Sequence, residues 1–378
     1  MLIGIDASRA ALAQRTGTEN YALYLIRAMI AQGHAHRFRL YFNQRPASDL
    51  FVQSEQVEWR VIPFPRLWTH ARLAWDVWRD PPDVLFVPSH VLPLVHPRRC
   101  VATVHDLGYL HYPQMHTPAA RWYLDWSTRF NARVARRVIA DSQATRDDLI
   151  RFYHTSADKI VVAYPAGVED YAPVVDRQAL DQVRERYHTG REYFLYVGTL
   201  QPRKNIETLI RAFSRLIAQE ALPASIKLVL VGKRGWCYEG LAELARATAL
   251  EERIVFTGYA PAEDLPALLS GATAYVLPSW YEGFGLPVLE AMACQTPVIC
   301  SNVSSLPEAA GDAALLFDPH SIEALAEAMR RLYQDEALRR ELVRRGQEQV
   351  SRFSWQQCAR QVLDALEAVG IGGYGCES

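Results

Sequence analysis

A recurring unit restricts this chain more than any other feature. A short, continuously apolar run closed by glycine, proline or serine is followed by a loop and then by a longer stretch of helical periodicity. MLIGIDA, a turn through QRTGTEN and the amphipathic YALYLIRAMIAQG, stopping at Gly33, make the first such unit. HRFRLYFN, VEWRVIPF, PDVLFVPS, CVATVHDL and RRVIADS are further β-rich runs of the first half. Separated by helical or loop segments, they describe a parallel sheet covered by helices. Periodicity lapses across IVVAYPAGVEDYAPVVD, where Pro165, Gly167 and Pro173 mark a connection. The same grammar then restarts with EYFLYVG, IKLVLVG, RIVFTG, AYVLPS and PVICS, and with helices such as NIETLIRAFSRLIAQ. A chain of 378 residues exceeds what one core organises. The expectation is therefore α/β, two doubly wound domains: residues 1–168, a linker over 169–189, and residues 190–354. SWQQCARQVLDALEAVG forms a last helix before a glycine-rich end expected to fray.

Open sheets of this kind bind ligands beyond the carboxyl ends of their strands, so a cleft between the domains should collect the functional loops. Composition narrows what those ligands are. The apolar fraction is 49% and the charged fraction 22%, as in an ordinary globular protein. A net charge of −1 gives no whole-chain attraction to nucleic acid. Cysteines at 100, 237, 294, 300, 358 and 376 form no CxxC pair and accompany no histidine at zinc spacing, so they read as reduced thiols. MLIGIDASRA is broken by Asp6 and Arg9 and reads as a first strand, not a signal peptide. No apolar run reaches the roughly 18 residues a membrane span needs. A cytoplasmic protein is expected.

The residues suited to chemistry are concentrated in the second half. In SWYEGFGLPVLEAMACQTPVI the run AYVLPS ends, Gly283 and Gly285 flank Phe284 in a tight loop, and Pro287 suits the first turn of the helix PVLEAMA. A strand end, a glycine loop and a helix start make a phosphate cradle, because backbone N–H groups and the helix dipole both favour an anion. Glu282 precedes the loop and Glu290 lies within the helix, so they need not act as an acid/base pair. Each carboxylate suits a diol through charge-assisted hydrogen bonds, one from a sugar and one from a ribose. The plainer alternative makes both glutamates solvated charges and the glycines a mere turn. YVGTLQPRKNIETLI supplies cations: the strand ends at Gly198, and Arg203 and Lys204 stand before a helix expected to be capped by Asn205. Taken alone, such a pair is usually a solvated face; at a strand's carboxyl end it suits a diphosphate. VLVGKRGW adds Gly232 and Lys233, where a base or phosphate could rest.

The stretch PSWYEGFGLPVLEAMACQTPVICSNVSSLPEAAGDAALLFDP resembles the Glu-x7-Glu signature of retaining glycosyltransferase family 4, and GTLQPRKN resembles its phosphate-binding loop. The likeness covers residues 190 to 345, and extends more loosely through RTGTENY, TVHDL and ADSQATRDDL. It implies the GT-B fold, two Rossmann-like domains facing each other across a cleft, with the C-terminal helix, about 355–370, returning to the first. It further implies that Glu282 holds hydroxyls of the donor sugar and Glu290 the ribose. Arg203 and Lys204 would hold the diphosphate, and backbone N–H groups of Phe284 to Leu286 the distal phosphate. His105 resembles the histidine that contacts the donor near the reacting carbon; a lone His before an Asp is also a common structural arrangement. Gly17 resembles the family's glycine-rich first loop, which here carries less glycine. Gln295 replaces a common glycine, at what is expected to be a helix end.

The chain contains no Asp-x-Asp, the usual ligand set for a metal-bridged diphosphate, so Arg203, Lys204 and helix dipoles are expected to replace the cation. The resemblance implies front-face attack with retention, the leaving phosphate oxygen taking the acceptor's proton. VHDL, GTLQPRKN, VGKRGW and SLPE together look most like bacterial mannosyltransferases, which favours GDP-mannose over UDP-glucose as donor and requires no other cofactor. The acceptor would be a glycan or a lipid-linked saccharide. A sugar-nucleotide epimerase, or a non-catalytic binding protein, shares the fold. RWYLDWSTRFNARVARRV, from Arg121 to Val138, has two readings. Its aromatics and arginines suit a helix lying on anionic lipid at the inner face of the membrane. The commoner arrangement buries the aromatics in the first domain's core and turns the arginines to water.

Overall fold

The computed structural model describes residues 1–12, 17–64, 67–89, 91–235 and 238–371. Cys237, Trp236, Cys376 and most of the glycine-rich end lie outside them, as do Arg15 and Thr16 of RTGTENY. Contacts divide the chain into two units: Met1–Ala166 joined by the residues from Phe353 onward, and Gly167–Arg352.

In the first unit seven parallel strands, β1 (Leu2–Asp6), β2 (Arg37–Phe42), β3 (Val57–Val61), β4 (Val84–Val87), β5 (Cys100–Val104), β6 (Arg137–Ala140) and β7 (Ile160–Val162), lie in the order β3-β2-β1-β4-β5-β6-β7. Ile3 sits in register between Phe38 and Val84. β4 and β5 are buried at every residue, because helices cover both faces of a parallel sheet and leave no face for polar alternation. On one face Ile5, Leu25, Ile26 and Met29 pack with Trp355, Cys358, Val362 and Leu366 of the C-terminal helix Trp355–Ile371. The Tyr24 ring stacks on Trp355 at 5.9 Å. At roughly 1.5–3 kcal/mol for each large aliphatic side chain buried, Val362, Leu363 and Leu366 make this helix an integral wall of the first unit's core.

In the second unit β8 (Tyr193–Val197), β9 (Lys227–Val231), β10 (Ile254–Gly258), β11 (Ala274–Leu277), β12 (Val298–Ser301) and β13 (Ala314–Phe317) are parallel, in the order β10-β9-β8-β11-β12-β13. Both sheets are doubly wound, and the winding reverses between β1 and β4 and between β8 and β11. Beyond the carboxyl ends of those strands the covering helices diverge and leave a crevice for ligands.

Three local features depart from expectation. Residues 169–189 are not all connection: they contain the helix Arg177–Tyr187, capped by Asp176, whose carboxylate accepts from the Gln178 N–H at 3.0 Å. Arg186 and Tyr187 bond Asp264 at 2.8 and 2.5 Å, fixing the helix to the second unit. β7 and β13, three and four residues long, add a strand to an edge of each sheet. Asn205 does precede the helix Ile206–Ala218, but its side chain does not cap it. The residue adopts φ 55°, and its amide instead donates to the Pro319 carbonyl at 3.1 Å and accepts from the Thr208 hydroxyl at 2.7 Å.

Gln295 closes the helix Leu286–Ala293 in the left-handed region, at φ 59°. Its N–H reaches the Met292 carbonyl at 3.0 Å and the Thr296 N–H reaches Ala291 at 2.9 Å, the paired bonds of a Schellman end. That explains why glycine is common at this position: the left-handed conformation costs a residue with a Cβ about 1 kcal/mol. Gln295 is exposed, so nothing else is lost on its replacement. Gln295→Gly is expected to stabilise the second unit by ~1 kcal/mol and raise its melting temperature by about 2–4 °C. An unchanged or lower melting temperature in calorimetry would refute this account.

Candidate active site

The second unit's switch point brings together the residues after β8 and β11. Pro202–Lys204 forms a single 3₁₀ turn, and Arg203 and Lys204 lean from it onto Glu282. Lys204 Nζ donates to Glu282 Oε1 at 2.6 Å, the Ser279 hydroxyl donates to the same oxygen at 2.5 Å, and Arg203 Nη1 donates to Oε2 at 3.2 Å. Arg203 also donates to the Tyr281 carbonyl, and the Trp280 N–H to the Arg203 carbonyl at 2.9 Å. From the loop after β12, the Ser304 hydroxyl accepts from the Glu282 N–H at 3.0 Å and Ser305 donates to its carbonyl at 2.9 Å. The Glu282 side chain is only 9% exposed. Burial alone would raise its pKa, but Lys204 and Arg203, aided by the Lys204 and Ser279 hydrogen bonds, override burial and hold it at about 2. Two cations facing one carboxylate leave the cluster with an excess positive charge.

The glycines serve this arrangement unequally. A Cβ on Gly232 would stand 1.9 Å from the Gly198 carbonyl oxygen, so the ends of β8 and β9 approach closely only without a side chain there. Gly285, at φ 104°, precedes the helix Leu286–Ala293, and its Cβ would meet Leu306 at 2.7 Å. Gly283 is half-buried, and Phe284 is buried, 5% exposed. The first-turn N–H groups of the helix lack intrahelical acceptors by geometry. Lys233 extends over the Tyr259 ring at 5.1 Å.

Glu290 occupies the same helix as a half-buried carboxyl. Burial raises its pKa to about 7, opposed only by a hydrogen bond from Tyr171, whose own hydroxyl is pushed well up by burial and by Glu290. Tyr171 carried no signal in the sequence, since its partner is far along the chain.

In the first unit His105 follows β5, and its Nδ1 lies 2.6 Å from Oδ2 of Asp141, which follows β6. The partner is thus Asp141, within ADSQATRDDL, and not the adjacent Asp106, which accepts from the Gly108 N–H at 2.9 Å. Burial opposes a charged imidazolium, yet Asp141 outweighs it and raises the His105 pKa. Tyr21 meets the imidazole edge-on at 4.8 Å. Gly17 is exposed and opens the helix Gly17–Gln32; a Cβ there would meet nothing within 4 Å. The helix Pro118–Val134 turns Ser127, Thr128, Asn131 and Ala132 inward. Phe130 packs against the core, with Trp126 half-buried and stacked on it at 5.7 Å, as the commoner arrangement has it, whereas Trp122 is 70% and Tyr123 42% exposed.

The family model described as "Glycosyl transferases group 1" matches residues 178–349, and that described as "Glycosyltransferase Family 4" matches residues 15–166. The chain is similar to O-antigen chain mannosyltransferase B of Escherichia coli, 36% identical over 303 residues, 80% of this chain and 78% of that protein. It is 32% identical over 281 residues to serotype-specific mannosyltransferase WbdA of Escherichia coli, covering 71% of this chain and 33% of that protein. In fold it resembles sucrose-phosphate synthase from Thermosynechococcus elongatus, with a TM-score of 0.76 and 22% identity over 98% of this chain and 100% of that one. It likewise resembles Anabaena HepE in complex with UDP and glucose, with a TM-score of 0.72 and 19% identity over 97% and 99%.

The ion cluster dictates an acid response. The folded Glu282 carboxyl titrates near 2 and its ordinary value is 4.5, so the unfolded chain takes up the proton first as pH falls. The cluster's contribution is complete above about 4.5 and is lost as pH drops toward 2. Urea midpoints are expected to fall between about pH 5 and pH 3 more steeply for the native chain than for Glu282→Gln. Parallel slopes would show that Glu282 is not held as described.

Proposed function

We propose, from the premise that this chain belongs to the glycosyltransferases that join a family 4 first half to a group 1 second half, that it moves mannose from GDP-mannose onto a glycan or lipid-linked saccharide with retention of configuration. The observation that carries the reading is the Arg203–Lys204–Glu282 cluster at the switch point of the second sheet. The named mannosyltransferase relatives support the sugar.

In this mechanism Arg203 and Lys204 bind the diphosphate and stabilise the charge that develops as it leaves. No metal ion is needed, and transfer is expected to persist in EDTA. Glu282, ionised at working pH, accepts hydrogen bonds from donor-sugar hydroxyls as diphosphate oxygens take over part of its hold on the cations. It attacks nothing: the acceptor hydroxyl attacks from the face the diphosphate leaves, and its proton passes to the departing oxygen. His105, oriented by Asp141, contacts the donor near the reacting carbon. First-turn N–H groups at Phe284 to Leu286 hold the distal phosphate, with Gly198, Gly232 and Lys233 flanking the nucleotide and Gly17 admitting backbone to the diphosphate. Glu290 receives the ribose hydroxyls. The enzyme works in the cytoplasm, peripheral to the inner face of the membrane; no helix among the described residues is long and apolar enough to cross one.

Thermal stabilisation separates the donors, since a ligand that binds only the folded chain raises its melting temperature. GDP and GDP-mannose are expected to shift it, and UDP and UDP-glucose are not. A uracil-only shift would replace the donor, and no shift with either pair would remove the nucleotide-sugar reading. Ribose recognition adds a second test. A carboxyl at about 7 is partly protonated at neutral pH, and only the carboxylate accepts from both hydroxyls, so GDP binding should release protons near pH 7. Calorimetry in buffers of different ionisation enthalpy should detect the release in the native chain and not in Glu290→Gln. Equal release from both would dissociate Glu290 from the ribose.

A further inference from the structure

The carboxyl end of the edge strand β3 carries a cavity of ≈ 560 Å³ remote in sequence from every residue assigned above. Arg45, Arg60 and Arg72 all line it, with Asp76 as the one acidic residue among the described lining. Asp76 is taken by Arg60, Nε to Oδ2 at 3.2 Å and Nη2 to Oδ1 at 3.5 Å. Among the described residues Arg45 and Arg72 form no ion pair. Three guanidiniums against one carboxylate leave an excess of two positive charges in one concavity, where the field of like charges is focused. Trp59 forms another part of the wall, its ring edge-on to Phe42 at 5.8 Å.

A phosphate monoester carries a charge of about −1.5 to −2 near neutral pH and presents oxygens that match the forked donors of arginine. The surroundings indicate what bears it. Arg72 and Asp76 belong to the helical stretch Thr69–Arg79, which also exposes Trp75 by 50% and Trp78 by 62%, their rings 5.2 Å apart. Leu67, just before that stretch, is 75% exposed. We propose that Arg45, Arg60 and Arg72 form a binding site for a phosphate group carried by an amphiphile, the phosphate entering the cavity while its apolar portion lies along Trp75 and Trp78. The inference does not depend on the transfer reaction, and its test uses neither donor nor acceptor.

Inorganic pyrophosphate titrated calorimetrically into the full chain probes the pocket, with Lys204→Ala as background to weaken the other anion-binding cluster. Adding Arg45→Gln and Arg72→Gln to that background is expected to weaken the remaining binding by roughly tenfold per guanidinium. Arg45→Lys with Arg72→Lys should restore part of it. Melting temperature without ligand serves as the folding control, and should not change because neither arginine is paired among the described residues. An isotherm indifferent to Arg45 and Arg72 overturns the proposal. Sedimentation with phosphatidylcholine vesicles containing phosphatidic acid then identifies the source. The otherwise native chain is expected to co-sediment, and the Arg45→Gln, Arg72→Gln variant to lose most of that binding. Binding of pyrophosphate through these arginines without vesicle binding would overturn the amphiphile and leave a site for free phosphate.

Discussion

A carboxylate stripped of most of its water must be answered by charge close at hand, and the second unit is organised around one such answer. Glu282 is stable as an anion only because Lys204 and Arg203 reach it from the neighbouring strand end and Ser279 completes its hydrogen bonds. The same contacts pin chain segments that nothing in their own conformation would hold. Trp280 is tied to Arg203 by a backbone bond and Tyr281 by the Arg203 guanidinium, and Ser304 and Ser305 clasp the Glu282 peptide. The loops after β8, β11 and β12 thus become one rigid rim. Preorganised charge of this kind need not reorient when a ligand arrives, which is the property electrostatic catalysis requires.

The two glutamates of the Glu-x7-Glu spacing show how far environment separates identical side chains. One is surrounded by cations and titrates at about 2; the other, half-buried beside a tyrosine hydroxyl, titrates at about 7. One fold thereby keeps a permanent anion and a conditional one on successive elements, a division of roles achieved without changing residue type.

Much of this was legible in the sequence, for reasons that particular residues make plain. Continuous apolar runs such as FLYV and LVLV name buried parallel strands, because both faces of such a sheet are dry. β13, reading ALLF, and β7, reading IVV, are equally apolar but short and only partly buried at the sheet edges, and periodicity alone does not tell such a run from a helix segment or a connection. The helix Arg177–Tyr187 is polar nearly throughout and buries only Val183, so its stretch reads as a connection. Within the site, Arg203, Lys204 and the two glutamates announce themselves by local pattern. Asp141 and Tyr171 do not, because what defines each is a partner brought close by the fold. The Asn205 cap failed for a related reason: the residue type suits a cap, but its left-handed backbone sends the amide to Pro319 instead.

The C-terminal helix has a consequence for how the molecule is made. Trp355, Val362 and Leu366 are wall residues of the core built by Ile5, Leu25 and Met29. The segment through Ala166 therefore cannot close its interior until the helix Trp355–Ile371, made later, has left the ribosome. The intervening residues 167–352 need no such wait, since their sheet and its covering helices come from one uninterrupted segment. Order of synthesis and order of completion are thus reversed between the two units, and losing a few turns of Trp355–Ile371 opens the core of a unit whose sheet was made before residues 167–352.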